Sequence, residues 1–349
     1  MFKHKNLLLY FMDYVSGKIL TEDGFEEGYI GFENHKIVDR GRKNPPKKSK
    51  CNGLIVPTFV NAHTHLGDSF VREKDIKLPK NIEELVAPPN GLKHKLLKQA
   101  SEGEIINGMK KSISEMKNSG VSNFCDFREN GLQGVNYLKK ALVDSNISAV
   151  ILSRSNQLTH NKDEVEILLK NSQGIGLSSI SDWEYSEIEK IAKHTKKKKK
   201  TFAIHASERI RENIELILEL KPDFLVHMIK ATESDFIRIK DANIPIVVCP
   251  RSNAFFGLKP NIKMMKKIGI NIMVGTDNAM LNPPRILDEK RHIQSQFKEI
   301  TIWELLQMIT YIPRKALNLD ADILDLNSPA EFVVLDKKYL KTVYISAHR

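Results

Sequence analysis

The stretch Pro57-Thr58-Phe59-Val60-Asn61-Ala62-His63-Thr64-His65 decides how the rest of the chain is read. The apolar run Leu54-Ile55-Val56 leads into it. In a strand, alternate side chains share a face, so His63 and His65 point the same way. Two imidazoles so placed at a strand end can bind one metal ion side by side. The pair says little alone, because a chain of 349 residues with 11 histidines can hold one by chance. It gains meaning only if distant parts of the chain bring further ligands to the same rim.

Outward from this stretch, apolar strand-like runs alternate with amphipathic helical runs. Strands are expected at 54–62, 121–127, 147–153, 174–180, 201–205, 224–227, 245–249 and 271–275. Helices are expected at 102–118, 134–144, 162–171, 184–196, 210–220, 233–242, 262–268, 285–297 and 302–317. The first carries Ile105, Ile106, Met109, Ile113 and Met116 on one stripe, and Gly120 ends it. Residues 65–99, rich in Lys and Pro, read as an excursion over the top of the domain. Such alternation is α/β and predicts a (β/α)8 TIM barrel. An open doubly wound sheet would need a Gly-rich phosphate loop after its first strand, and none is present.

The two ends read differently. Short strands are expected at 7–10, 27–32 and 36–38, punctuated by Gly17, Asn34 and residues 41–46. Strand character returns at 332–335 and 342–345. The expected organisation is a small β-sandwich domain built from both termini, residues 1–56 and 323–349, beside a barrel of residues 57–322.

Composition narrows the function classes. With 41% apolar residues and no long polar tract, the chain is a folded one. It has 54 basic and 43 acidic side chains, a net charge of +11. The lysines are scattered over helix surfaces, and the one dense run, Lys196 to Lys200, ends a helix and carries no aromatics. We therefore read a lysine-rich surface and not a nucleic-acid partner. Cys51, Cys125 and Cys249 are far apart and odd in number, which suits a reducing cytosol and gives no disulfide framework. Cys249 reads as a buried small hydrophobe. The apolar residues 7–12 are too few for a leader and lack a small-residue cleavage site. No apolar run is long enough to span a membrane, and the expectation is a cytoplasmic protein. The sequence leaves the oligomeric state open, a homo-oligomer included.

In barrel enzymes chemistry sits at the C-terminal strand ends. Read there, strand one ends in His63 and His65, and strand five in His205-Ala206-Ser207-Glu208. Strand six ends in His227, strand seven in Cys249-Pro250-Arg251-Ser252-Asn253, and strand eight in Gly275-Thr276-Asp277-Asn278. His94, His160, His194, His292 and His348 lie outside strand ends and read as surface.

The motifs Asn-Ala-His-Thr-His, His-Ala-Ser-Glu, Leu-Val-His, Cys-Pro-Arg-Ser-Asn and Gly-Thr-Asp-Asn, in this order over residues 55–278, resemble the amidohydrolase superfamily of metal-dependent hydrolases. The resemblance is to the branch holding adenosine-type, guanine and cytosine deaminases and triazine chlorohydrolases. It implies that His63, His65, His205 and Asp277 bind one divalent ion, zinc or else iron. The ion would lower the pKa of its water to about 7 and supply hydroxide. Glu208 would be the general acid, with a raised pKa, protonating a ring nitrogen. Asp277 would relay the water's proton to the leaving amine, and His227 would orient the attack and stabilise the oxyanion. A two-metal site of this family uses a strand-four lysine. Residues 174–180 have none, so one metal is expected. The substrate implied is a small nitrogen heterocycle that loses ammonia. A cyclic amide or a chloride leaving group is the alternative on the same centre, and a dead-barrel scaffold is a further one. After strand one the chain departs from deaminases of adenosine-like thioethers, having Leu66-Gly67-Asp68-Ser69-Phe70-Val71-Arg72-Glu73 and no Trp. Candidate substrate contacts are Arg72, Arg128 and Arg154, just past strands one to three, with Arg251, Ser252 and Asn253.

Overall fold

The structure, a computed structural model, describes residues 12–320 and 323–346. The strand expected at 7–10 and His348 lie outside these residues. The strands form two sheets, one of six strands and one of nine. In the six-stranded sheet, strands β1 (Asp13–Leu20), β2 (Phe25–Glu33), β3 (Lys36–Gly41) and β4 (Asn52–Pro57) join two from the C-terminal end, β14 (Phe332–Leu335) and β15 (Thr342–Ile345). The order is β15-β14-β4-β1-β2-β3, so the two ends of the chain share one hydrogen-bonded sheet.

β1 was not expected from sequence, because Gly17 reads as punctuation. Gly17 instead sits mid-strand at φ +135°, where a Cβ would lie 2.0 Å from the carbonyl oxygen of Gly53 on β4. The glycine is there to let two backbones approach, not to end the strand.

The nine-stranded parallel sheet holds β5 (Phe59–His65), β6 (Val121–Arg128), β7 (Ser148–Ser153), β8 (Gly174–Leu177), β9 (Thr201–Ala206), β10 (Phe224–His227), β11 (Ile246–Val248), β12 (Ile272–Val274) and β13 (Asp277–Asn278). Its order runs from β12 back through β11 to β5 and then β13. One stretch of chain thus borders both edges. β12 pairs with β11, and three residues later β13 pairs in parallel with Thr64 and His65 of β5. The sheet is curled into the barrel type. Inward residues such as Val60, Ala62, Phe127, Leu152, Phe224 and Val247 fill its interior, while a larger apolar layer packs between its outer face and the helices.

Two expected elements are divided. The run 54–62 is not one strand: β4 belongs to the six-stranded sheet and β5 to the curled one. Pro57 has no N–H to carry a ladder onward, so the chain changes sheet there. Buried Arg314 pins the crossover, donating to the Thr58 carbonyl (3.1 Å) and hydroxyl (2.7 Å). The helix expected at 302–317 is two, Ile302–Gln307 and Tyr311–Ala316. Pro313 fits only a first turn, so a new helix must start just before it. The excursion at 65–99 contains a 3₁₀ helix, Leu66–Glu73, and short helices Ile82–Leu85 and Leu92–Gln99. Among the described residues no helix is long and apolar enough to cross a membrane.

Candidate metal centre and its pocket

The alternation of β5 sends His63 and His65 to one face and Thr64 to the other, where its hydroxyl donates to Asp126 (2.8 Å). His205 arrives from β9, and Asp277 from β13. Asp277 adopts φ +60°, a left-handed conformation that aspartate tolerates better than most residues. Close packing here depends on Gly275, since a Cβ at that position would lie 2.6 Å from the Cβ of His63. One ligand atom from each of His63, His65, His205 and Asp277 falls within 4.8 Å of the others.

Hydrogen bonds fix which nitrogen is bare in His65 and His205, whereas Nδ1 of His63 has no partner. His205 donates from Nδ1 to the Leu177 carbonyl (2.8 Å). His65 donates from Nδ1 to Glu129 (2.8 Å) and faces the Phe127 carbonyl (3.1 Å). The Nε2 atoms of both rings are therefore lone pairs, yet they lie 3.4 Å apart, and that of His205 lies 3.2 Å from Nε2 of His63. Lone pairs converging like this repel unless a cation sits among them. A shared proton does not fill that role. Burial and the Lys93 charge lower the pKa of His65 to about 3, and burial with the neighbouring imidazoles holds His205 well below its usual value. Burial pushes the Asp277 carboxyl up, but the imidazoles of His63, His227 and His65 outweigh it and hold the group well below the usual carboxylate range. Three imidazole nitrogens and one carboxylate are a donor set that fits a divalent transition metal.

Beside this cluster stands a second group, Glu208, His227 and Asp277. Burial, and next the charge of Asp277, push Glu208 up to about 8. Burial lowers His227 to about 4. Their 3.5 Å contact at neutral pH is thus between a protonated carboxyl and a neutral ring, not an ion pair. Asn253 holds both, its amide donating to Glu208 Oε1 (3.2 Å) and to His227 Nδ1 (3.3 Å), which leaves the His227 proton on Nε2. Ser252 donates its hydroxyl to Asp277 Oδ2.

These groups lie at the bottom of a cavity that is partly open to solvent. Ile82, Val86, Ala87 and Phe256 give it an apolar wall, and Arg154 and Arg209 lie on its rim. Of the six candidate substrate residues only Arg154 lines it. Ser252 and Asn253 lie behind the floor, on Asp277, Glu208 and His227. Arg72 is bonded to Glu115 (2.9 Å) and Ser112 (2.8 Å). Arg128 is buried between Asp126 (3.0 Å) and Glu129 (2.5 Å). Arg251 bonds Asn282 (2.9 Å) and faces Asp288 and Glu289.

The structure adds a chain of polar residues that the sequence did not point out. Glu129, which bonds His65, also meets the buried Lys93 (2.6 Å). Lys93 bonds Asn278 (2.8 Å), and Asn278 donates to Asp277 Oδ1 (2.9 Å). A continuous path thus joins one side chain of the cluster, His65, to another, Asp277, through a lysine from the excursion. His94, expected at the surface, is half-buried and donates from Nε2 to the Val86 carbonyl (3.2 Å).

A model of the amidohydrolase family matches residues 54–348, and the chain belongs to that family. It is 36% identical over 339 residues to an uncharacterized protein of Methanocaldococcus jannaschii, covering 90% of this chain and 85% of that one. A 5-methylthioadenosine/S-adenosylhomocysteine deaminase of Thermoanaerobacter pseudethanolicus is 25% identical, with 93% and 80% covered. Among solved structures, aminofutalosine deaminase of Helicobacter pylori in complex with methylthio-coformycin superposes with a TM-score of 0.69 at 17% identity, covering 93% and 92%. An atrazine chlorohydrolase of Arthrobacter aurescens complexed with zinc gives 0.70 at 14%, covering 96% and 95%.

Proposed function

We propose that the protein is a hydrolytic deaminase of a small nitrogen heterocycle, with its curled sheet a complete (β/α)8 barrel. His63, His65, His205 and Asp277 would hold one divalent ion, zinc before iron. Zinc is favoured by the donor set and by its presence in the chlorohydrolase of like fold. An ion held there makes water acidic enough, at a pKa of about 7, to attack near neutral pH. The chain's own groups divide the rest of the work. Glu208 carries a proton and delivers it to a ring nitrogen as the adjacent carbon is attacked. His227 presents its Nε2–H to the oxygen that gains charge. Asp277, held as a carboxylate, takes the attacking water's proton and passes it to the departing amine. The added oxygen's remaining proton returns to Glu208 as the carbonyl forms, so water plus an amino-substituted ring carbon gives a ring carbonyl and ammonia. The apolar wall of Ile82, Val86 and Phe256 suits a flat ring.

The observation that carries this reading is the Glu208 carboxyl 3.5 Å from the His227 ring, beside four side chains whose ligand-type atoms fall within 4.8 Å of one another. We further propose that residues 1–56 and 323–349 form a small β domain, sandwich-like, beside the barrel of 57–322. The three cysteines are all free, which supports the cytosol as the site of action. A second reading, displacement of chloride on the same centre, is favoured by the likeness to the chlorohydrolase. The test is a panel of amino- and chloro-substituted purines, pyrimidines, pterins and triazines offered to metal-loaded protein. Ammonia release supports deamination, chloride release the second reading, and neither product from any ring overturns both.

A further inference from the structure

A second cavity adjoins the first, sharing Pro88, Glu129 and Arg154 with it. Glu208, His227 and Asp277 line only the first, so Arg154 stands at the junction between the reacting floor and the second cavity. It follows β7 directly, and its backbone N–H donates to the Arg128 carbonyl (3.0 Å), which fixes where its side chain starts. Among the described residues its guanidinium makes no hydrogen bond and no ion pair. The carboxylates near it are committed elsewhere. Glu129 is shared by Lys93, Arg128 and His65, and Asp182 is bonded to Arg209. Burial lowers the pKa of Arg154, as expected for a cation without a partner. A half-buried guanidinium with no counter-ion is costly, and a planar fork of N–H donors matches a carboxylate or phosphate. The rest of the second cavity agrees. Lys98 adds another positive charge, Asn130 and Gln157 add amides, and Glu129 is the sole carboxylate among its described lining residues.

We propose that the substrate is a heterocycle carrying an anionic arm, a carboxylate or a phosphate, with the ring over the cluster and the arm in the second cavity against Arg154. This rests on the deaminase reading of the same pocket. Binding separates the two questions, so it is measured by calorimetry in metal-loaded protein carrying Glu208→Gln, which slows turnover. The probes are adenosine, adenosine 5′-phosphate, and an adenosine thioether ending in a carboxylate. At least one armed probe is expected to bind ten or more times tighter than adenosine, and the one that does identifies the anion. Arg154→Met is expected to bring the armed-to-armless ratio near one, and Arg154→Lys to keep part of it. Salt should weaken only the armed probe. Equal affinity for all three probes, or a ratio unchanged in Arg154→Met, overturns the proposal. Ammonia release from armless rings without any arm effect would sink the arm and spare the deaminase. An arm effect with no ammonia from any ring would do the reverse.

Discussion

Glu129 and Glu208 both border the same cluster and both are largely buried, yet they are driven in opposite directions. Burial pushes Glu129 up, but the charges of Lys93 and then the His65 and Arg128 partners overcome it and hold the carboxylate well below its usual range. Glu208 meets an amide, a neutral imidazole and the negative Asp277, and burial with that charge carries it up to about 8 against the weaker pull of Arg209. The same residue type is thus a fixed anion after β6 and a proton store after β9. Partners, not burial, decide between holding a ligand in place and moving a proton.

The largest effect that would break this comparison lies on the proton side. Glu208→Gln should keep the metal and the fold but lower the rate about 10²- to 10⁴-fold, the usual worth of a positioned acid. Metal analysis and initial rates check it; near-normal turnover would remove Glu208 from the chemistry. If protonated Glu208 is the acid, as proposed, the rate should fall as pH rises through about 8. Glu129, already ionised far below neutrality, should add no limb in that range.

On the anion side the effect should be smaller in rate and larger in integrity. Glu129→Gln removes the charge that orients His65, so metal affinity should drop about 10- to 100-fold, as for other partners of ligating histidines. It also takes one counter-ion from Lys93 and one from Arg128, which keep Asp68 (3.4 Å) and Asp126 (3.0 Å), so the stability loss should stay below the about 3–5 kcal/mol of a fully uncompensated buried cation. Adding Lys93→Met should restore part of the lost stability while leaving the metal affinity low. Unfolding midpoints and metal titrations would separate the two. Equal losses in both quantities for single and double variants would mean that Glu129 acts only through packing.

This contrast also marks what a sequence can show. His63-Thr64-His65, His205 and Asp277 were legible because strand period and the barrel rule place them at one rim, whatever the chain does between. The β6 end was open to the same rule, since Glu129 directly follows that strand, but Arg128 beside it drew attention as a substrate contact and proved to be buried in ion pairs. Lys93 carried no signal at all. It sits in a lysine-rich excursion where every cation looks solvated, and only the folded chain brings it 2.6 Å from Glu129. The break between β4 and β5 was hidden for a related reason. Both strands are buried, so the apolar run continues unbroken across a change of sheet, and Pro57 is the one mark of it.

Glu289 offers the finest test, because it resembles Glu208 in burial but touches neither the pocket nor the cluster ligands. It accepts the backbone N–H of Arg251 (3.0 Å), and burial pushes it up to about 8. The sign follows from linkage. Its folded pKa lies above the unfolded value of about 4.5, so the folded state holds the proton more tightly. Stability from this group is present in full below pH 4.5 and is lost as pH rises toward 8. Glu289→Gln removes the titrating proton but keeps an acceptor for Arg251, so it should flatten that part of the stability–pH curve while leaving the high-pH limb of the rate in place. Melting midpoints at pH 5.5 and 8.5, with rate profiles on the same samples, would show it. If the rate limb moved with Glu289→Gln, the proton near pH 8 would not belong to Glu208 alone, and the division between an anion that holds and an acid that gives would need a third member.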